Sequence, residues 1–184
     1  MKLQFACLAV MASITLVACD NTETPAPAAA PSAPAAAVPA AQSAIVLSDE
    51  GLKIGGAMLA FGAPRAEVEA AIKAALRSDP AVSTNEDCPT GATTDLTWGD
   101  AVQITTRDDI FIGWDNMADG PRTASGIHVG STRAEAEAGA AFSVPETTFD
   151  MVEITVDGVG GFMSSDGADG TVSQMFAGDT CMAR

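Results

Sequence analysis

This chain has no tyrosine, one histidine, two tryptophans, and nine Lys and Arg residues against 24 Asp and Glu. Each scarcity excludes something. The net charge of −15 argues against nucleic acid and anionic lipid headgroups as direct ligands, because both carry the same sign. It leaves basic protein partners, cations or plain solubility. With His128 alone, any serine or cysteine nucleophile would depend on that one imidazole as its base. The strand-to-helix glycine turn that cradles a dinucleotide is missing. Gly55-Gly56 and Gly158-x-Gly160-Gly161 have neither its spacing nor its βαβ context. The apolar run at residues 3–18 falls short of the roughly 20 residues that a membrane-spanning helix needs.

That run opens what is present. It holds Leu3, Phe5, Leu8, Val10, Met11, Ile14, Leu16 and Val17, follows Lys2 and carries no charge. These are the parts of a secretory signal. Asp20 and proline-rich sequence come next, without the basic flank of a stop-transfer segment. Leu16-Val17-Ala18-Cys19 resembles the lipobox of bacterial lipoproteins. The resemblance implies removal of residues 1–18, lipid on Cys19, and a membrane-anchored, periplasm-facing protein of the cell envelope. Two or three acyl chains, at roughly 0.8 kcal/mol per buried methylene, hold a protein firmly on a bilayer. Cleavage after Ala18 without lipidation is the nearest rival. Asp20 resembles the inner-membrane retention signal of enterobacterial lipoproteins, which leaves the choice of membrane open.

Residues 20–44 contain five of the ten prolines (Pro25, Pro27, Pro31, Pro34 and Pro39) and eleven alanines. Alanine favours helix, but prolines at this density forbid it. The segment is expected to be an extended tether reaching about 75 Å at roughly 3.1 Å per residue. Residues 45–184 then form a single domain, large enough to bury about two thirds of its unfolded surface. Cys7 leaves with the signal and Cys19 takes lipid. Cys88 and Cys181 remain as the expected disulfide of an oxidising compartment, which would pin the C-terminus.

Within the domain, Gly62-Ala-Pro-Arg-Ala-Glu-Val-Glu-Ala-Ala71 recurs as Gly130-Ser-Thr-Arg-Ala-Glu-Ala-Glu-Ala-Gly139. Duplication is the simple source. Each copy reads as a helix start, with Pro64 at the first helical position and Ser131 or Thr132 as a cap. Val68, Ala71, Ile72, Ala75 and Leu76 follow helical spacing, and Asp79-Pro80 stops the first helix. Three strands are expected after each: Thr93–Trp98, Ala101–Arg107 and Ile110–Asn116, then Phe149–Val156, Val159–Ser165 and Thr171–Ala177. Gly99-Asp100 and Asp157-Gly158 supply hairpin turns. The predicted class is α+β, two tandem repeats over about 51–120 and 121–184, each one helix followed by a three-stranded antiparallel meander.

Such repeats, opened by Gly-x-x-Arg-x-Glu, resemble the beta-lactamase inhibitor protein and the small envelope-assembly lipoproteins that share its half-unit. Leu59–Arg65, Phe111-Ile112-Gly113-Trp114 and Gly126–Arg133 are similar to a family of uncharacterised alphaproteobacterial envelope lipoproteins. Some members carry the name aspartate-semialdehyde dehydrogenase. The residues here do not support that activity, because the nucleotide turn is missing and a bridged Cys88 or Cys181 cannot be acylated.

The remaining candidates are few. His128 and Ser131 suggest a nucleophile pair, but no third orienting group is evident, and alternation with Ile127 and Val129 points His128 outward from a strand. Asp166 and Asp169 share a glycine-rich loop that lacks the further ligands of a calcium site. Parity puts Trp114 in the core with Ile110 and Ile112, and puts Phe111 on the opposite face. Trp98 is expected in the core as well. Phe111 with Arg65 and Arg133 is therefore the candidate partner surface. No catalytic residue, metal, cofactor or nucleotide is assigned. The expected role is a non-catalytic, lipid-anchored module that binds another envelope protein, with an enzyme or a purely structural lipoprotein as alternatives.

Overall fold

Short apolar alternations open the domain. Ile45–Ser48 (β1), Gly51–Ile54 (β2) and Ala57–Ala60 (β3) form an antiparallel meander. Its Ile45, Leu47, Leu52, Ile54 and Leu59 are buried. In this computed structural model, which describes residues 44–139, 141–146 and 151–181, Arg122–Thr123 (β8) adds to β1 in parallel. The resulting four-stranded sheet has the order β3-β2-β1-β8.

Arg65–Leu76 (α1) buries Val68 and Ile72 and packs against β2 and against Ile110–Asn116 (β7). It ends before Asp79-Pro80, because Arg77 turns left-handed (φ 56°) and its N–H bonds to the Lys73 carbonyl at 2.8 Å. Ala81–Asn85 (β4), Thr93–Trp98 (β5) and Val102–Arg107 (β6) lead into β7. Arg133–Gly139 (α2) is followed by Phe142–Ser143 (β9), Val152–Val156 (β10), Val159–Met163 (β11) and Val172–Gly178 (β12). The two runs of strands join through β7 and β12 into one antiparallel eight-stranded sheet, β4-β5-β6-β7-β12-β11-β10-β9.

The expected pair of helix-plus-three-strand repeats is therefore wrong. Among the described residues the protein is mostly β, with twelve strands in two sheets and two helices. The missed strands had little periodic signal to offer. β1 to β3 are four residues each, β9 is two, and β4 is an edge strand with almost no buried position. Residues 149 and 150 of the expected strand Phe149–Val156 lie outside the described residues.

One apolar cluster unites both sheets and both helices, from Ile45 and Leu52 through Val68, Ile72 and Ala136 to Ile104, Trp114, Ile154 and Met175. The two tryptophans stitch it. Trp114 Nε1 donates to the Ser48 carbonyl at 2.9 Å, tying β7 to the β1–β2 turn, and Trp98 Nε1 donates to the Ser78 carbonyl at 3.1 Å.

Phe111 corrects the parity argument. It is fully buried and its ring meets Phe61 at 5.0 Å, so it is no partner surface. The ladder shifts register here: Thr105 pairs with Gly113, but Thr106 pairs with Phe111. The extra residue on β7, Ile112, reverses the face of the side chains before it relative to those after it. Phe111 turns inward, and Ile110 is left 38% exposed.

Candidate functional site

On the face of the large sheet opposite Ile104 and Trp114, Thr97 of β5, Gln103 of β6 and Asp115 of β7 stand in one register row. Their side chains form a relay. Thr97 Oγ1 donates to Gln103 Oε1 at 3.0 Å, and Gln103 Nε2 donates to Asp115 Oδ2 at 3.4 Å. Asp95 lies two residues from Thr97 on the same face of β5. Where these strands end, a cavity of about 290 Å³ opens, lined by the row and by Asp100, Val102, Asn116 and Met117.

Two features make this cavity unusual. Burial, and then the charge of Asp95, push the Asp115 carboxyl up to about 6. Among the described residues no ion pair reaches it. Asn116 is 1% exposed and donates through Nδ2 to the Ala101 carbonyl, while its Oδ1 has no partner among the described residues. The site is thus rich in acceptors and lacks a counter-charge. Sequence reading missed it. Its one signal is an Asp inside Ile110–Asn116, and only the pairing of β6 with β7 sets Gln103 beside it.

The structure does bring His128 and Ser131 together, and adds a third group. His128 sits in the connection between β8 and α2 and not in a strand. Its Nδ1 lies 2.8 Å from Ser131 Oγ and 2.6 Å from Arg122 Nη1, and its Nε2 lies 3.4 Å from Asp119 Oδ1. With the proton assigned to Nε2, both ring nitrogens have partners. A nucleophile is a poor description of this serine. Ser131 is 3% exposed, and its Oγ already accepts the His128 backbone N–H at 3.1 Å. The ring nitrogen that would collect its proton already lies 2.6 Å from Arg122 Nη1, which can only donate to it. The four groups brace a turn.

Arg65 and Arg133, proposed for a partner surface, are occupied at the starts of the helices. Arg65 pairs with Glu69 (3.5 Å) and Asp109 (3.6 Å). Arg133 pairs with Glu137 (2.7 Å), donates to the Asp166 carbonyl (2.8 Å) and lies over the Phe142 ring. The backbone contacts match as well. Gly62 and Arg65 N–H groups bond to Phe111 and Asp109, as Gly130 and Arg133 bond to Val172 and Gly170. The duplicated motif is a device for seating a helix on a strand connection. Thr132 closes the second copy as a capping box with Glu135, whose carboxyl is held low by the Thr132 N–H and hydroxyl. The Asp166–Gly170 loop serves that docking. Among the described residues no group of three or more His, Cys, Asp or Glu converges as for a metal.

Cys88 and Cys181 form the disulfide, with Cα atoms 5.5 Å apart. Arg107 lies beside it, bonded to Thr90 and to Asp179 at 3.0 Å. Burial alone would raise the Asp179 carboxyl, but the Cys181 N–H, Arg107 and Thr90 outweigh it and hold it below the usual range. Cys19 and the tether lie outside the described residues. No described helix is long and apolar enough to cross a membrane. Comparison with protein-family models, curated proteins and solved structures finds no match.

Proposed function

We propose that this chain is an envelope lipoprotein, held by lipid on Cys19, whose domain is a non-catalytic module that binds another protein. The observation that carries the binding role is β4. It is the edge of an eight-stranded sheet, four of its five residues are exposed, and Val82 is 55% exposed. It contains neither a charged residue nor a proline, the usual guards of an open edge. An edge of this kind accepts an extended segment of a partner through main-chain hydrogen bonds. The side chains best suited to catalysis, His128 and Ser131, are spent on a turn.

The test is a photo-crosslinker at Ser83 in β4 or at Lys53 in the other sheet, in intact cells. Ser83 should yield a discrete adduct and Lys53 none. Equal adducts from both, or none from Ser83, would count against a β4 interface. Cys19→Ser should leave the membrane fraction or accumulate unprocessed, and normal retention would remove the lipid anchor from the reading. Turnover of aspartate semialdehyde with NADPH by the purified chain would replace the reading with an enzyme.

A further inference from the structure

We propose that the cavity beside Thr97, Gln103, Asp115 and Asn116 receives a guanidinium or ammonium side chain from a basic protein partner. This rests on the reading of the domain as a protein-binding module and names the group that the partner inserts.

Four observations converge. The cavity is lined by the Asp100 and Asp115 carboxylates, which accept only when ionised, and by Asn116, whose buried Oδ1 has no partner among the described residues. An occupant must therefore bring hydrogen-bond donors. The charged groups around Asp115 are acidic: Asp95 on β5 and Asp100 in the turn that follows, while β6 presents neutral Gln103 and β12 presents Phe176. Arg107, further along β6, is taken by Asp179. The remaining walls are apolar, with Val102, Met117 and Ala118, where Met117 is 69% exposed. A Lys or Arg side chain matches that division, with an alkyl stem along the apolar wall and a charged head toward the acceptors. A bare divalent cation fits worse, because hard cations take six or more oxygens and the cavity lining supplies only two carboxylates, Asp100 and Asp115. The cavity also lies on the β4 side of the sheet, since Ala81 of β4 pairs with Thr97.

The test uses the full chain in detergent micelles and follows the side-chain amide resonances of Gln103 and Asn116. The probes are the peptide acetyl-Gly-Arg-Gly-amide, its citrulline counterpart, and calcium chloride alone. The arginine peptide should give saturable shifts at pH 7.5, and the citrulline peptide should bind at least tenfold more weakly. Asp115→Asn should weaken the arginine peptide about tenfold, whereas Glu67→Gln, which removes an equal charge from exposed α1, should change it less than twofold. Lowering the wild type to pH 5 should cost about tenfold as Asp115 takes a proton, a measurement that needs no variant to fold. Equal binding of the citrulline peptide, an equal loss in Glu67→Gln, or saturation of both resonances by calcium alone overturns the proposal. The two readings separate cleanly. Crosslinks at Ser83 without arginine-peptide binding sink this inference alone, and peptide binding without crosslinks sinks the protein-binding module while the cavity's preference for a cation stands.

Discussion

Replacing Asp115 with Asn should make the protein more stable at neutral pH and no more stable in acid. Burial and the neighbouring Asp95 hold the folded carboxyl at about 6, against an ordinary value of 3.8. At about 1.4 kcal/mol per pH unit, keeping Asp115 ionised costs the folded state roughly 3 kcal/mol above pH 6. The sign follows from proton binding. Between about 3.8 and 6 the folded chain holds this proton more tightly than the unfolded one, so stability falls as pH rises and then levels off. Asn has no proton to lose, and its carbonyl can still accept from Gln103. The advantage of the variant should be near zero at pH 3.5 and full at pH 7.5. Urea unfolding followed by fluorescence of the buried Trp98 and Trp114 reads it. With a slope of about 2 kcal/mol/M, the midpoint should rise by about 1.5 M at pH 7.5. A gap of the same size at both pH values would refute burial of the charge as its cause, and a less stable variant at pH 7.5 would refute the reasoning outright. A destabilising acid retained beside an acceptor-rich cavity is what a binding role looks like in stability terms.

Three further outcomes test the rest of the structure. The double replacement Cys88→Ala, Cys181→Ala opens a loop of 93 residues, for which chain entropy gives about 4.6 kcal/mol; a urea midpoint unchanged from the oxidised wild type would contradict that. Gly113→Ala would set a Cβ 2.4 Å from the Asp179 carbonyl oxygen, while the same change at Gly139 meets nothing within 4 Å. The first should lower the melting temperature by an amount worth more than about 2 kcal/mol, and the second should leave it level or slightly raised. Ser131→Ala removes two hydrogen bonds around His128 and should cost about 1–2 kcal/mol without altering the adduct formed at Ser83; loss of that adduct would give the turn a part in binding.

Legibility in the sequence tracked burial. Thr93–Trp98 and Ile110–Asn116 are strands at the predicted bounds, because runs rich in Thr, Ile and aromatic residues between turn signals mark them. Val102, Ile104 and Thr106 are buried together as the alternation of a strand requires. The Cys88–Cys181 bridge followed from elimination among four cysteines. What stayed hidden had no such trace. β4 buries almost nothing, β8 and β9 are two residues long, and the bulge in β7 inserts a residue that no periodic reading anticipates. The site was hidden for the same reason. Gln103 and Asp115 are 12 residues apart in the chain and belong to no spacing motif. Only the register of β6 against β7 makes them neighbours.

The way the domain begins has a mechanical consequence. Tension on the chain ahead of Ile45 enters the fold through β1, which is an interior strand of its sheet, held by β2 over four register pairs and by β8 over two. Ile45 and Leu47 are 0% and 2% exposed, so a pull along β1 must shear its cross-strand bonds together and drag two apolar side chains out of the core. At the other end, the 88–181 bridge keeps the last strand from peeling. Load from the N-terminal side is therefore borne by a strand clamped on both edges, while β4, at the rim of the other sheet, carries none of it directly and stays free to pair.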